Sequence, residues 1–179
     1  VEALQIPMFG LYGACSTSGE ALALASMSAA AGYGGTMIAV TSSHFGSAEK
    51  EFRFPLGYAN QRPLSSHWTV TGSGAFLVQS AEEYRKQNTK SYFSNIRITG
   101  VTVGKIVDYG LKDSQNMGAC MAPAAMDTIV QNFQDMERKE KDYDRIITGD
   151  LGSIGRTILF DLIREKGYDF LSVPPFFSS

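Results

Sequence analysis

The sequence contains few cysteines and histidines and has no long apolar run. Its 179 residues include two cysteines, Cys15 and Cys120, and two histidines. Two cysteines cannot form the disulfide framework of a small secreted domain, so we expect a reducing compartment. No apolar stretch approaches the roughly 18 residues that a membrane-spanning helix needs. Any membrane role of this sequence is therefore expected to be peripheral.

A strong excess of charge of one sign is also missing. Sixteen Lys and Arg residues against eighteen Asp and Glu residues leave a net charge of -2, which gives no electrostatic reason to expect nucleic acid as a partner. No run of oxygen ligands resembles a calcium-binding loop, so we predict no metal site built by the protein and no cofactor. The 44% hydrophobic content favours a folded domain. Because the chain starts at Val1 and a strand signal follows at once, we expect it to begin inside a longer protein.

The sequence does contain one cysteine at a predicted turn from a strand into a helix. The strand is predicted over Pro7 to Ala14, and Thr17 to Glu20 fits the capping box, in which a hydroxyl and a carboxylate bond to the first amides of a helix. Cys15 is thus predicted just ahead of the helix start. Unpaired N–H groups and the positive end of the helix dipole favour a thiolate or a bound anion there. The alternative is a buried cysteine that acts as a small hydrophobe.

The first half of the sequence predicts a buried helix and two strands. Glu20 to Ala31 is small or apolar on all sides, which is typical of a helix buried all round. Thr36 to Thr41 has the continuous apolar run of a buried parallel strand, and Val70 to Val78 also predicts a strand. Between them, the polar stretch Ser42 to Thr69 is long enough that we expect a functional loop.

The second half predicts further strands and helices beyond a charged helix or connector. The predicted elements are strands over Asn95 to Val103 and Tyr143 to Thr148, an amphipathic helix over Ala122 to Glu137 with Pro123 in its first turn, and a helix over Ser153 to Lys166 that Gly167 ends. Such strand-turn-helix units predict an α/β fold. We divide the chain into residues 1–80, a connector over 81–93, and residues 94–179.

Several blocks of the sequence, taken in order, resemble one known family. The blocks are Gly10 to Thr17, Ala39 to Phe45, Ala48 to Pro55, Asn60 to Pro63, Trp68 to Gly74, Asn116 to Ala125 and Thr148 to Gly152. Together they resemble the stage V sporulation protein AD family, and the resemblance runs from about Gln5 to Tyr168.

The resemblance implies a thiolase-like layered α/β fold of two similar halves whose sheets enclose a central pair of helices. This chain would lack the N-terminal part of that fold and most of its second half. The helix over Glu20 to Ala31 would belong to the central pair. By the same resemblance, the strand over Pro7 to Ala14 would pair with its copy in a homodimer.

The resemblance also implies a function. Members of the family belong to the machinery that loads dipicolinic acid, with calcium, into the developing spore. We therefore expect a non-catalytic subunit that binds dipicolinic acid, free or as its calcium chelate. Other transport subunits of the spore membrane would be its partners, and its place would be the cytoplasm or the periphery of the developing-spore membrane.

Condensing enzymes of the thiolase-like class combine a nucleophilic cysteine with a partner that handles the proton or the oxyanion charge. Cys15 matches the nucleophile, whereas Gly149 stands where we align the catalytic histidine, so we expect no turnover. His44 would substitute only if its loop folds over Cys15. The first alternative is an acyltransferase or ketoacyl-synthase-like enzyme that uses Cys15, and the second is a structural subunit of a membrane-associated assembly.

Dipicolinate is a flat aromatic dianion, so a receptor needs amides or arginines for the carboxylates and an apolar slot for the ring. The predicted ligand-binding residues are Cys15, Ser16, Thr17, His44, Phe45, Arg53, Phe54, Arg62, Gly149 and Asp150. Cys15, Ser16 and Thr17 would offer helix-start amides to the carboxylates, Arg53 or Arg62 would supply an arginine fork, and Phe45 or Phe54 would supply the apolar slot for the ring. Anchoring of the polar loop is the alternative role of each arginine.

Overall fold

The computed structural model describes residues 3, 5–44, 64–65, 71–87, 96–106, 108–113 and 115–170. Its elements are a 3-10 turn (Ala14–Ser16), helix α1 (Thr17–Ala30), strands β1 (Thr36–Ser43) and β2 (Gly72–Gln79), helices α2 (Ala81–Gln87) and α3 (Met117–Asp135), a second 3-10 turn (Glu140–Asp142) and helix α4 (Gly152–Glu165). The chain forms two units. The first unit comprises Val1–Ser43 and Gly72–Thr99, and the second comprises His44–Thr71 and Gly100–Ser179.

The first unit is a two-stranded antiparallel sheet with α1 packed on one face. Strand β1 pairs with β2 so that Ala39 lies opposite Phe76. Buried alanines recur every fourth residue along α1, at Ala21, Ala25 and Ala29, and they form a small core with Ala39. Because alanine side chains are short, this strip lets the helix approach the sheet closely.

Two expectations for this unit are wrong. Strand β1 pairs antiparallel with β2, not in a parallel sheet, and Ile38 and Val40 on it are exposed. Helix α1 buries only its alanine strip within the part of the chain that the structure describes, while Met27 is about half exposed. The reason is geometric: a helix packed on a single sheet face has neighbours on one side only.

The second unit is built on the crossing of α3 and α4. Its buried core residues are Ala122, Met126, Phe133, Leu151, Leu159, Ile163 and Phe170. The helices approach each other through Gly118 and Gly155. A methyl group placed at Gly118 would overlap the carbonyl oxygen of Leu151 and lie 3.0 Å from the Cα atom of Gly155. Glycine is therefore required at Gly118 by backbone contact, since no side chain fits in the crossing.

Helix α3 begins earlier than its apolar spacing predicts. It starts at Met117, and the side chain of Asn116 caps it by accepting a hydrogen bond from the Ala119 N–H at 3.1 Å. Pro123 lies inside the helix and not in its first turn as predicted. A proline inside a helix removes one backbone hydrogen bond. We attribute the longer helix to the asparagine cap and to the contact of Gly118 with α4, which lie outside the predicted range.

Three predicted strands are not present as strands. Residues 6–13 and 96–103 have no regular secondary structure, and the stretch 143–148 has only an isolated bridge at Ile147. A composition typical of strands does not suffice to form a strand here, because the backbone N–H and C=O groups of a strand need a neighbouring strand to pair with. Strand β2 is confirmed, and so is α4, which ends one residue earlier than predicted. Gly167 follows α4 with a φ of 83°, as expected of a left-handed helix stop.

Within the second unit, two hydrogen bonds connect the segment before α3 to α3 and to Tyr143. The Tyr143 hydroxyl donates to Oδ1 of Asn132 at 2.7 Å, and Nδ2 of Asn132 donates to the Thr102 hydroxyl at 2.9 Å. Both bonds are partly buried, and the Tyr143 ring packs on Phe133. The segment around Thr102 is thus held against the polar side of α3.

Replacement of Gly118 by alanine tests the helix crossing. We expect Gly118→Ala to lower the free energy of unfolding by about 1–3 kcal/mol, because the added methyl group forces the two helices apart. Gly149→Ala is the matched control, since a methyl group there would meet only Cε of Met121, at an ordinary 3.5 Å. Chemical denaturation of both variants measures the difference. Equal stability of the two variants would contradict the close crossing.

Candidate functional site

The turn that precedes α1 is held by its own hydroxyl groups. The Ser16 backbone N–H and hydroxyl both donate to the Gly13 carbonyl oxygen, at 2.9 and 2.6 Å. The Thr17 hydroxyl donates to the Ala14 carbonyl oxygen at 2.8 Å and accepts from the Gly13 N–H at 3.0 Å. Both hydroxyl protons are therefore used inside the turn, and a ligand would meet the remaining oxygen lone pairs.

The predicted capping box is not formed. Ser16 is the N-cap residue of α1 and makes no side-chain cap bond, while Thr17 is already the first helical residue. The helix starts one residue earlier than a Thr17 cap requires, and the threonine hydroxyl reaches back to Gly13 and Ala14. The Glu20 carboxylate lies beside Gly13, where a methyl group would be 2.6 Å from its Oε2 atom.

Cys15 lies in the middle of this turn and is exposed. It is therefore not the buried hydrophobe of the alternative interpretation. The residue before it, Ala14, has a φ of 48°, a left-handed conformation that costs an L-residue roughly 1–2 kcal/mol. The hydroxyl bonds of Ser16 and Thr17 hold the backbone in this conformation. The turn thus presents the thiol at the surface just before the start of α1.

The predicted partners of Cys15 belong to other parts of the chain. His44, exposed, directly follows β1 and is assigned to the second unit, as are Gly149 and Asp150. Phe45, Arg53, Phe54 and Arg62 lie outside the described residues. The predicted grouping of these residues around the thiol therefore stays a prediction.

The loop before α4 has a clear local role for Asp150. Its Oδ1 atom accepts a hydrogen bond from the Gly152 N–H at 2.9 Å, and Gly152 has a φ of 62°. This turn leads the chain into α4. Gly149 is exposed, and its backbone has no conformation that requires glycine. A methyl group at Gly149 would meet only Cε of Met121, at 3.5 Å, so this position would admit an alanine side chain.

The second unit contains a polar cleft that the sequence analysis does not predict. It has a volume of about 250 Å³ and is lined by residues 103–105 and by one side of α3. Its polar side chains are Lys105, Asp127, Thr128, Gln131 and Asp135. Three of them recur every four residues on α3, which is the only sequence signal that pointed to this surface.

Comparison with known proteins decides the family. A family model described as stage V sporulation protein AD (SpoVAD) matches residues 1–174. The chain belongs to this family. The stage V sporulation protein AD of Bacillus subtilis (strain 168) is 44% identical over 165 residues, which cover 92% of this chain and 46% of that relative. The resemblance inferred from the sequence is thus confirmed, and the chain spans just under half the length of this SpoVAD relative.

Charge clusters are sparse in the described part of this SpoVAD-family chain. Among those residues, no group of three or more His, Cys, Asp or Glu side chains is placed to hold a metal ion. None of the helices there combines the length and apolar character needed to cross a membrane.

On α2, the hydrogen bond and the charge of Lys86 lower the pKa of the Glu82 carboxyl, and Glu82 raises the pKa of Lys86. The two side chains are exposed and one helical turn apart, which is typical of a solvated helix face.

Thr17 offers a direct test of the turn that holds Cys15. We expect Thr17→Val to lower the free energy of unfolding by about 1–2 kcal/mol, because valine keeps the shape but loses two hydrogen bonds. Thr17→Ser is the matched control, since serine keeps the hydroxyl. Thermal and chemical denaturation measure both variants. If valine were as stable as serine at this position, the hydroxyl would not be what holds the turn.

Proposed function

We propose that this chain binds dipicolinic acid as part of a non-catalytic SpoVAD-family component that loads dipicolinate, with calcium, into the developing spore. Membership of a sporulation family supports a role in the developing spore. The observation that carries the proposal is the exposed Cys15 turn, combined with Gly149 at the position where we align a catalytic histidine. Retention of the thiol turn without the imidazole favours binding over reaction.

The chemistry of the turn suits one end of a dianionic ligand. The first turn of α1 carries the positive end of the helix dipole, which attracts a carboxylate. The Ser16 and Thr17 hydroxyls shape the turn and do not donate outward. The N–H groups of Gly13, Ser16 and Thr17 already donate inside the turn, so we assign the first ligand carboxylate to other backbone N–H groups at the start of α1.

The Glu20 carboxylate sets a second requirement. It lies beside Gly13 at the same helix end, so a bound dianion would be repelled by it. A cation is needed to offset this repulsion. In the proposal, Arg53 or Arg62 supplies that charge, and Phe45 or Phe54 covers the ring. Calcium chelated by the ligand itself would also offset the repulsion between Glu20 and the dianion.

The segment before the Cys15 turn supports the homodimer part of the proposal. Large apolar side chains are exposed there, with Met8 at 68%, Phe9 at 81% and Tyr12 at 87% of their full accessible surface. Such a run is costly in water and favours burial against a partner. We propose that Pro7 to Ala14 pairs with its copy in a second subunit and becomes a strand only then. Docking to other transport subunits at the spore membrane completes the proposed setting.

Calorimetry tests the binding proposal on the full-length protein. We expect heat of binding with dipicolinate, with calcium present or absent, and weaker affinity with unchanged stability in Arg53→Ala or Arg62→Ala. Glu20→Gln should tighten binding several-fold because it removes a like charge. Glu165→Gln, an exposed change at the end of α4, is the matched control and should have no effect. An absence of heat with and without calcium would contradict dipicolinate binding.

Mass spectrometry tests the rival acyltransferase function, which the exposed thiol of Cys15 favours. After incubation with acyl-CoA donors, we expect no adduct at Cys15 beyond the level seen at Cys120, which is also exposed. An adduct that disappears in Cys15→Ser but persists in Cys120→Ser would establish the rival and end the non-catalytic proposal. If no adduct forms in this assay and no heat of binding is found by calorimetry, the remaining alternative is a structural subunit of a membrane-associated assembly.

A further inference from the structure

The long polar loop between β1 and β2 belongs to a different unit from its two strands. Strand β1 ends at Ser43 and β2 begins at Gly72, and both strands lie in the first unit. Residues 44–71 between them are assigned to the second unit. The chain therefore leaves the unit that holds the strands after β1 and returns to it at β2.

One hydrogen bond shows how this loop is held in the second unit. The hydroxyl of Ser153 donates to the backbone carbonyl oxygen of Leu64 at 2.9 Å, across 89 positions of the sequence. Ser153 lies in the first turn of α4, directly after Gly152, whose N–H donates to Asp150. A serine near a helix start commonly bonds to backbone groups of its own segment, whereas this hydroxyl makes a tertiary contact. The start of α4 thus holds the loop backbone at Leu64.

Leu64 lies close in the sequence to one of the two arginines of the proposed function. Arg62 precedes it by two residues, with Pro63 between them. Two peptide units span at most about 7.6 Å. Proline fixes its own φ and disfavours the helical conformation of the residue before it. The link from Leu64 to Arg62 is therefore short and stiff.

The other arginine of the loop is much farther from both Leu64 and the end of β1. Arg53 comes ten residues after Ser43 and eleven before Leu64. Each residue that must be ordered on binding costs conformational entropy, and a residue that is ordered beforehand avoids this cost. An arginine two residues from Leu64 is thus better prepared for a ligand carboxylate than Arg53.

We propose that Ser153 is a positioning residue for dipicolinate binding: its hydroxyl holds Leu64, and the loop end held in this way places Arg62, and not Arg53, against a ligand carboxylate. The inference rests on the proposed function and selects between its two arginines. The paired, fork-shaped bonds between an arginine and a carboxylate depend on orientation, so a fixed backbone next to Arg62 raises the affinity. Ser153 acts through Arg62 and needs no contact with the ligand.

Calorimetry with dipicolinate on the full-length protein tests the role of Ser153. We expect Ser153→Ala to weaken binding about fivefold, which is the effect of one lost hydrogen bond. Ser153→Thr keeps a hydroxyl and should bind within about twofold of the wild-type protein. Thr157→Ala is the matched control and should also stay within about twofold, because the Thr157 hydroxyl is exposed on the same helix and donates to the Ser153 carbonyl oxygen at 3.1 Å.

A double-mutant cycle tests whether Ser153 acts through Arg62. In protein that carries Arg62→Ala, Ser153→Ala should weaken binding further by less than about twofold, because the arginine that it positions is gone. In protein that carries Arg53→Ala, the effect of about fivefold should remain. The same further effect in both backgrounds would overturn the assignment of Arg62, as would a larger loss of affinity in Arg53→Ala than in Arg62→Ala.

Hydrogen exchange measured by mass spectrometry tests the hold on the loop without any ligand. The backbone amides of residues 64–71 should exchange faster in Ser153→Ala than in Ser153→Thr, whereas Thr157→Ala should leave their rates unchanged. Equal exchange in all three variants would overturn the proposal, and so would equal dipicolinate affinity of Ser153→Ala and Ser153→Thr. Absence of binding heat in the wild-type protein would instead contradict the proposed function and with it the ligand role of Ser153, while the exchange rates would still decide whether Ser153 holds the loop.

Discussion

The hydroxyl of Thr17 is the group on which the first unit depends most. It bonds to the Gly13 N–H and to the Ala14 carbonyl oxygen at once, and so fixes both the left-handed Ala14 and the first residue of α1. The direction of α1 then decides that Ala21, Ala25 and Ala29 face the sheet. The same turn carries Cys15, so the Thr17 hydroxyl determines both the geometry of the proposed site and the packing of α1 on the sheet.

In the second unit, the corresponding constraint is the contact between Gly118 and Gly155. It brings the backbones of α3 and α4 together and leaves the opposite side of α3 polar, where residues 100–105 lie along it. The two units therefore present different chemistry. The first offers an exposed thiol turn beside apolar residues, which suits the proposed ligand and a second subunit, and the second offers a polar cleft that two carboxylates line.

A signal that depends on a single residue was predicted well, whereas helix starts and contacts between distant residues were not. Gly167 was predicted as the stop of α4 because a left-handed φ depends on a single residue. The start of α3 was missed because it depends on Asn116 and on a contact with Gly155 far along the chain. The capping box at Thr17 failed because a 3-10 turn shifted the helix start by one residue. The strand over 96–103 is absent because its composition specifies no partner, and the cleft was missed because it exists only once this segment lies on α3.

The most direct test of the central claim, that dipicolinate binds at the Cys15 turn, is the rate of thiol alkylation in the full-length protein. Cys15 and Cys120 are both exposed and lie in different units, so Cys120 is an internal control. Site-resolved mass spectrometry with iodoacetamide reports both rates in one sample. The account predicts that saturating dipicolinate slows alkylation of Cys15 and leaves Cys120 unchanged. Equal rates at Cys15 with and without dipicolinate would contradict it.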